Sequence, residues 1–141
     1  SLAPIGAYLA VTGYFALLPL LFSFIVLTWT GGFDILYALQ DEDFDRSHNL
    51  FSIPSKTGRK KSLLISNISH LLTAILVLTA GWYGQFNLLY LAGALIFIVL
   101  LYYQHSLVKP DDISKVNLAF ATTNGIASVL FGFFVILSVT L

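Results

Sequence analysis

The chain of 141 residues is 57% hydrophobic and 10% charged, with seven basic and seven acidic side chains that cancel. An average globular domain is about 25% charged, and a chain this neutral lacks the basic surface that nucleic acid requires. Ten of the fourteen charges lie between Asp34 and Lys61 and four between Lys109 and Lys115, so three long uncharged stretches exclude a water-soluble domain and read as membrane spans.

A transmembrane helix needs roughly 20 apolar residues, which sets the elements in order. Gly13 divides residues 1–33 and leaves before it a run too short to cross a bilayer. A helix over 14–40 follows, with Pro19 in its second turn or kinking it. Further helices are expected over 60–80, 86–107 and 115–139. The turn between the second and third of these is Gly81-Trp82-Tyr83-Gly84-Gln85-Phe86-Asn87, whose aromatic rings suit a membrane interface. The fold class is therefore all-α, a polytopic transmembrane helix bundle of about four full spans plus one truncated N-terminal span. With alternating helices, all seven Lys and Arg fall on or near one face, which the positive-inside rule makes cytoplasmic. The chain has no Met and opens on a half-span, so it is expected to be a fragment whose upstream half is missing. No basic region precedes the first apolar run, so a signal peptide is not expected. The absence of Cys removes disulfides, thiolate metal sites and cysteine nucleophiles.

Chemistry concentrates between Gly32 and Arg46. On a helix turning 100° per residue, Asp34, Tyr37, Asp41 and Asp45 fall at roughly 0°, 300°, 340° and 20°, on one stripe. Carboxylates so aligned repel one another, the more so near low-dielectric lipid, and call for a cation. Oxygen ligands without Cys or a His cluster select Mg²⁺ or Ca²⁺. Arg46 and Ser52 stand where an EF-hand needs Gly and Glu, which excludes that loop. Mg²⁺ prefers a few carboxylates together with substrate phosphates, so Asp41 and Asp45 are expected to hold the metal, with Asp34 deeper on the stripe. Tyr37 can hydrogen-bond a carboxylate or a diphosphate oxygen. Arg46, Lys56, Arg59, Lys60 and Lys61 are candidate phosphate contacts or, equally, topology determinants facing head groups. Glu42 and Asp43 lie off the stripe and are expected to be solvated and to balance the basic run. His70 is expected to line a cavity or to make a helix–helix hydrogen bond. Asn117 and Asn124 share a helix face, and His48 and His105 are expected at the head-group level.

The run Gly32-Phe33-Asp34-Ile35-Leu36-Tyr37-Ala38-Leu39-Gln40-Asp41 through Asp45-Arg46, with Ser52-Ile53-Pro54 and Gly58, resembles the UbiA superfamily of intramembrane aromatic prenyltransferases. Its DxxxD matches the family's second aspartate-rich motif at Asp41 and Asp45. His70, His105-Ser106-Leu107-Val108, Asp111-Asp112, Val116-Asn117, Ala119-Phe120 and Asn124-Gly125 follow in order, and the resemblance covers the whole chain. It implies the C-terminal half, residues 1–141, of a prenyltransferase membrane domain. Such an enzyme uses Mg²⁺ to move a polyprenyl group from its diphosphate to a small aromatic acid. The resemblance implies Asp41, Asp45 and Tyr37 as catalytic and Asp34, Arg46, Lys56, His70 and Asn124 as substrate-binding. It leans toward 4-hydroxybenzoate polyprenyltransferases of ubiquinone biosynthesis. Phe51, where ubiquinone-branch members often carry Lys, leaves the menaquinone pathway open. The expected location is a bacterial cell membrane. The family's first aspartate-rich motif is absent, so this chain alone is expected to be inactive. The alternatives are a non-catalytic membrane scaffold and a cation transporter element. For a transporter, acids would be expected near the bilayer midplane or on several helices.

Overall fold

A computed structural model describes residues 1–141, the side chain of Thr122 excepted. Helix α1 spans Ala3–Thr12, α2 Leu17–Ala38, α3 Glu42–Ser47, α4 Ile53–Tyr83, α5 Leu88–Leu107 and α6 Asn124–Thr140. A 3₁₀ turn at Leu39–Asp41 joins α2 to α3, and a π-helical segment, Leu118–Thr123, leads into α6. Four helical runs are long and apolar enough to cross a membrane: Leu17–Ser47, Ile53–Tyr83, Leu88–Leu107 and Leu118–Thr140. The chain is thus an all-α membrane bundle with one shorter apolar helix, α1, before the spans.

Local chemistry sets the ends of these helices. Gly13 ends α1 in the left-handed conformation, φ 75°, where a side chain would be strained. Its N–H donates to the Leu9 carbonyl at 2.9 Å. Helix α2 begins at Leu17 rather than near Tyr14, so Pro19 falls in the first turn, where its missing N–H costs no hydrogen bond. Ser52 and Ser55 form a reciprocal capping box at the start of α4. Gly58, at φ 76° and ψ 164°, breaks that helix after its first turn, and the Ser62 hydroxyl donates to the freed Gly58 carbonyl at 2.9 Å. The long straight part of α4 therefore starts close to residue 60, as the sequence suggests. The Asn87 side chain caps α5 by accepting from the Leu89 N–H at 3.0 Å.

Helix α4 lies along α2 through polar contacts at three successive turns. The Ser66 hydroxyl donates to the Gly32 carbonyl at 2.6 Å, His70 Nε2 lies 3.2 Å from the Trp29 carbonyl, and the Thr73 and Thr28 hydroxyls are 2.8 Å apart. Helix α5 is fastened to α4 by Tyr90, whose hydroxyl donates to the Val77 carbonyl at 2.8 Å. Nearer the charged end, the two helices flank a cavity of about 390 Å³ lined from Asn67 to Ala74 and from Ile98 to Ser106. One apolar core joins Ile25, Val77, Tyr90, Ala94, Phe97 and Ala127. A second joins Leu36, Leu39, Leu63, Val108, Val116 and Ala119. This second core brings the end of α2, the start of α4 and the loop after α5 together, so the basic and acidic residues share one end of the bundle.

Gly93 is a point of close approach between α5 and α6. A Cβ there would collide with Phe134 Cβ, whereas one at Gly132 would meet nothing within 4 Å. Gly93→Ala should therefore lower thermal stability in detergent by about 1–3 kcal/mol. Gly132→Ala, a change to a better helix former in open space, should leave the unfolding temperature unchanged or raise it.

Candidate functional site

The acidic segment does not continue α2 as one regular helix. The 3₁₀ turn winds at about 120° per residue rather than 100°, so it rotates Asp41 and all of α3 relative to Asp34 and Tyr37. Among the described residues no three His, Asp or Glu side chains come close enough together to hold a metal ion. The acids expected on one narrow stripe are therefore spread over a wider arc, and no three of them gather round one point. Asp41 and Asp45 remain one turn apart at the start of α3, Asp41 exposed and Asp45 half-buried, while Asp34 is exposed on α2.

Glu42 corrects a second expectation. It is buried, only 5% exposed, and both of its oxygens are used. Arg46 Nη2 donates to Oε1 and Arg59 Nε to Oε2, each at 2.9 Å. Arg59 also reaches the exposed Asp43 carboxylate at 3.5 Å. Glu42 does balance the basic run, but as a buried clamp holding α3 on α4 rather than as a solvated charge. Rotation by the 3₁₀ turn is what carries it inward. Arg46 and Arg59, expected to contact phosphate, are thus already bound to protein, although Arg46 stays 58% exposed with donors to spare. Lys56 lies over the Phe51 ring, 4.4 Å from its centroid. Lys60 and Lys61 are exposed. Among the described residues, no basic side chain pairs with Asp34, Asp41 or Asp45.

Tyr37 packs its ring on Phe120 of the π segment, centroids 4.4 Å apart, and Phe120 also meets Phe33 at 5.4 Å. The tyrosine therefore links the acidic end of α2 to the last span. His70 is buried at 3% exposure. It makes the helix–helix bond expected of it and also lines the α4–α5 cavity. His105 sits in the last turn of α5 but turns inward, its Nε2 2.8 Å from His70 Nδ1, rather than out to the head groups. His48 remains at the charged end, stacked on Phe44. Asn117 is exposed and Asn124 buried. The wider winding of the π segment between them takes them off a common face. Asp111 and Asp112 form a tight turn. There the Asp112 carboxylate accepts the Ser114 N–H at 3.0 Å. Hydrogen bonding from Ser114, with Lys115 and Lys109 nearby, holds that carboxyl below its usual range. It is a local turn device, not a second acidic motif.

Sequence reasoning missed Gln104, which is completely buried with its amide oxygen and nitrogen unpartnered, as are those of Asn124. A lone Gln inside an uncharged apolar run was the available signal.

Removing the clamp should loosen this end of the bundle. Glu42→Ala leaves Arg59 half-buried without its main partner, at a cost of about 1–3 kcal/mol. Amide hydrogen exchange should rise across residues 42–59 and stay unchanged in the Tyr90 region.

Comparison with known proteins assigns this arrangement. Neither the curated proteins nor the solved structures compared with the chain include a match. The model of the UbiA prenyltransferase family matches residues 1–138. The α-helical membrane bundle with its aspartates at one charged end therefore belongs to the UbiA prenyltransferase family.

Proposed function

We propose that the full-length protein transfers a polyprenyl group from polyprenyl diphosphate to a 4-hydroxybenzoate-like aromatic acid, with Mg²⁺, in ubiquinone or menaquinone biosynthesis. One observation carries this reading. Asp34, Asp41 and Asp45 are the acids of the 34–61 segment not used in ion pairs, and they lie at the one charged end of an otherwise uncharged bundle.

Free carboxylate oxygens fit a hard divalent ion, and Asp41 and Asp45 would hold it. Two carboxylates leave most of an octahedral shell open, which suits an ion that takes its remaining ligands from water and from substrate phosphates. When bound, Mg²⁺ supplies charge neutralisation for the diphosphate leaving group. Lys56, Lys60, Lys61 and the free donors of Arg46 add positive charge that favours a phosphorylated ligand at this end. Tyr37, with its ring held against Phe120, can orient its hydroxyl toward a carboxylate or a diphosphate oxygen. The apolar helices beyond it keep water from a reactive prenyl cation. With the basic residues clustered here, the positive-inside rule places this end in the cytoplasm.

The same placement weighs against a cation transporter element, since the acids gather at one end of the bundle, Asp34 the deepest of them, and none lies near the middle of a span. A non-catalytic scaffold is separated by substitution. In membranes carrying the full-length protein, with Mg²⁺, farnesyl diphosphate and 4-hydroxybenzoate, Asp41→Ala and Asp45→Ala should each lower product formation by about 100-fold or more. Circular dichroism and thermal unfolding should stay unchanged. Undiminished transfer in both variants would overturn the reading.

A further inference from the structure

The turn that joins α3 to α4 is held firmly, yet it leaves its apolar side chains exposed. Asn49 reverses the chain at φ 55°, a left-handed conformation that Asn tolerates better than most residues. The Leu50 N–H then donates to the Asp45 carbonyl at 2.8 Å. The Ser55 hydroxyl accepts the Ser52 N–H and donates toward the Leu50 and Ser52 carbonyls, all at 3.0 Å. Pro54 is buried within the same turn. Leu50, Phe51 and Ile53 nevertheless remain exposed, Phe51 at 86%.

Apolar residues exposed along the spans meet acyl chains. These three stand instead in the segment from Asp34 to Lys61, which holds ten of the fourteen charges. Large apolar side chains exposed together among charged ones mark a surface that meets something apolar. The neighbouring charges identify it. From Arg46 to Lys61 there are five basic residues and no acid. Glu42 takes Arg46 and Arg59, which leaves Lys56, Lys60 and Lys61, all exposed. The Lys56 ammonium stands over the Phe51 ring, 4.4 Å from its centroid, so positive charge and apolar tip belong to one surface. The turn also lies where the chain passes between two apolar runs, since α2 ends at Ala38 and α4 runs straight after Gly58. An apolar tip with a basic shoulder at that level complements the head-group zone of an anionic leaflet. A turn already ordered loses little conformational freedom on entering it.

We propose that this turn is an interfacial anchor for anionic phospholipid. Leu50, Phe51 and Ile53 insert among the head groups of the leaflet at the charged end, and Lys56, Lys60 and Lys61 lie against the lipid phosphates. The anchor requires neither a metal ion nor a prenyl substrate.

A nitroxide on Leu50→Cys, in the full-length protein freed of other cysteines, reports the depth of the tip. The protein is placed in nanodiscs of phosphatidylcholine, with or without phosphatidylglycerol. Electron paramagnetic resonance then reads collision with oxygen, which concentrates in the acyl layer, and with a neutral nickel chelate, which stays in water. The label should favour oxygen, and the oxygen-to-nickel ratio should rise when phosphatidylglycerol is added. Phe51→Ser, a change at an exposed position, should reverse the preference while circular dichroism stays unaltered. Replacing Lys56, Lys60 and Lys61 together by Gln should abolish the rise with phosphatidylglycerol. A label that favours nickel in every lipid has its tip in water, and one shielded from both reagents has it under protein. Either result overturns the anchor. A ratio indifferent to phosphatidylglycerol in the unaltered lysine background overturns the preference for anionic lipid.

Discussion

The rest of the structure hangs on the seam between α2 and α4. Inside a bilayer, apolar side chains gain nothing by leaving lipid for one another, so helices associate through close packing and hydrogen bonds. Here Ser66, His70 and Thr73 reach across to Gly32, Trp29 and Thr28 in successive turns. Each such bond in a membrane is worth only about 0.6 kcal/mol on average, but the three repeat at helical spacing and fix one register. Gly32 shows how tight that register is, since a Cβ there would run into the His70 ring. Sliding the helices by one turn would break all three bonds and open that contact.

This register determines what happens at the charged end. With α2 and α4 aligned, the start of α4 lies beside α3, and Arg59 meets Glu42. The clamp sorts the acids into two kinds. Glu42 and Asp43 spend their charge on arginines, and what they gain is position, because a buried ion pair roughly offsets its own desolvation. Asp34, Asp41 and Asp45 are left with their charge available. A segment with five acids and five bases could have neutralised itself completely. That it does not is what supports the cation proposed for this end.

Much of this was legible in the sequence, because the features that set span boundaries act locally. Gly13, the Ser52 cap, Gly58 and the 81–87 turn each do what their residue types dictate, and the uncharged runs mark the spans. The roles of individual acids were less legible. Projecting Asp34 to Asp45 on one ideal helix assumed a constant 100° per residue, and three residues of 3₁₀ turn were enough to carry Glu42 inside. Asn117 and Asn124 parted for the matching reason, a wider π segment between them. His105 stood at a helix end in either view, but its inward turn depends on His70, thirty-five positions away. Departures from α geometry and long-range pairings leave little trace in composition or periodicity.

The two polar regions of the bundle differ in charge. At the α3 end, acidic and basic side chains stand together near the membrane edge, where water still lowers the cost of ionic groups. Between α4 and α5, deeper along the helices, the polar atoms are all neutral at a shared-proton chain that starts on the Trp29 carbonyl. A charged ligand in that second region would lack a partner in a low dielectric, a penalty that grows steeply with depth. Because His70 belongs both to that chain and to the α2–α4 seam, the residues that set the helix register also set the polarity of the cavity. A substitution that disturbs the seam would therefore be felt in both regions, and one at His105 would reach the seam through its bond to His70.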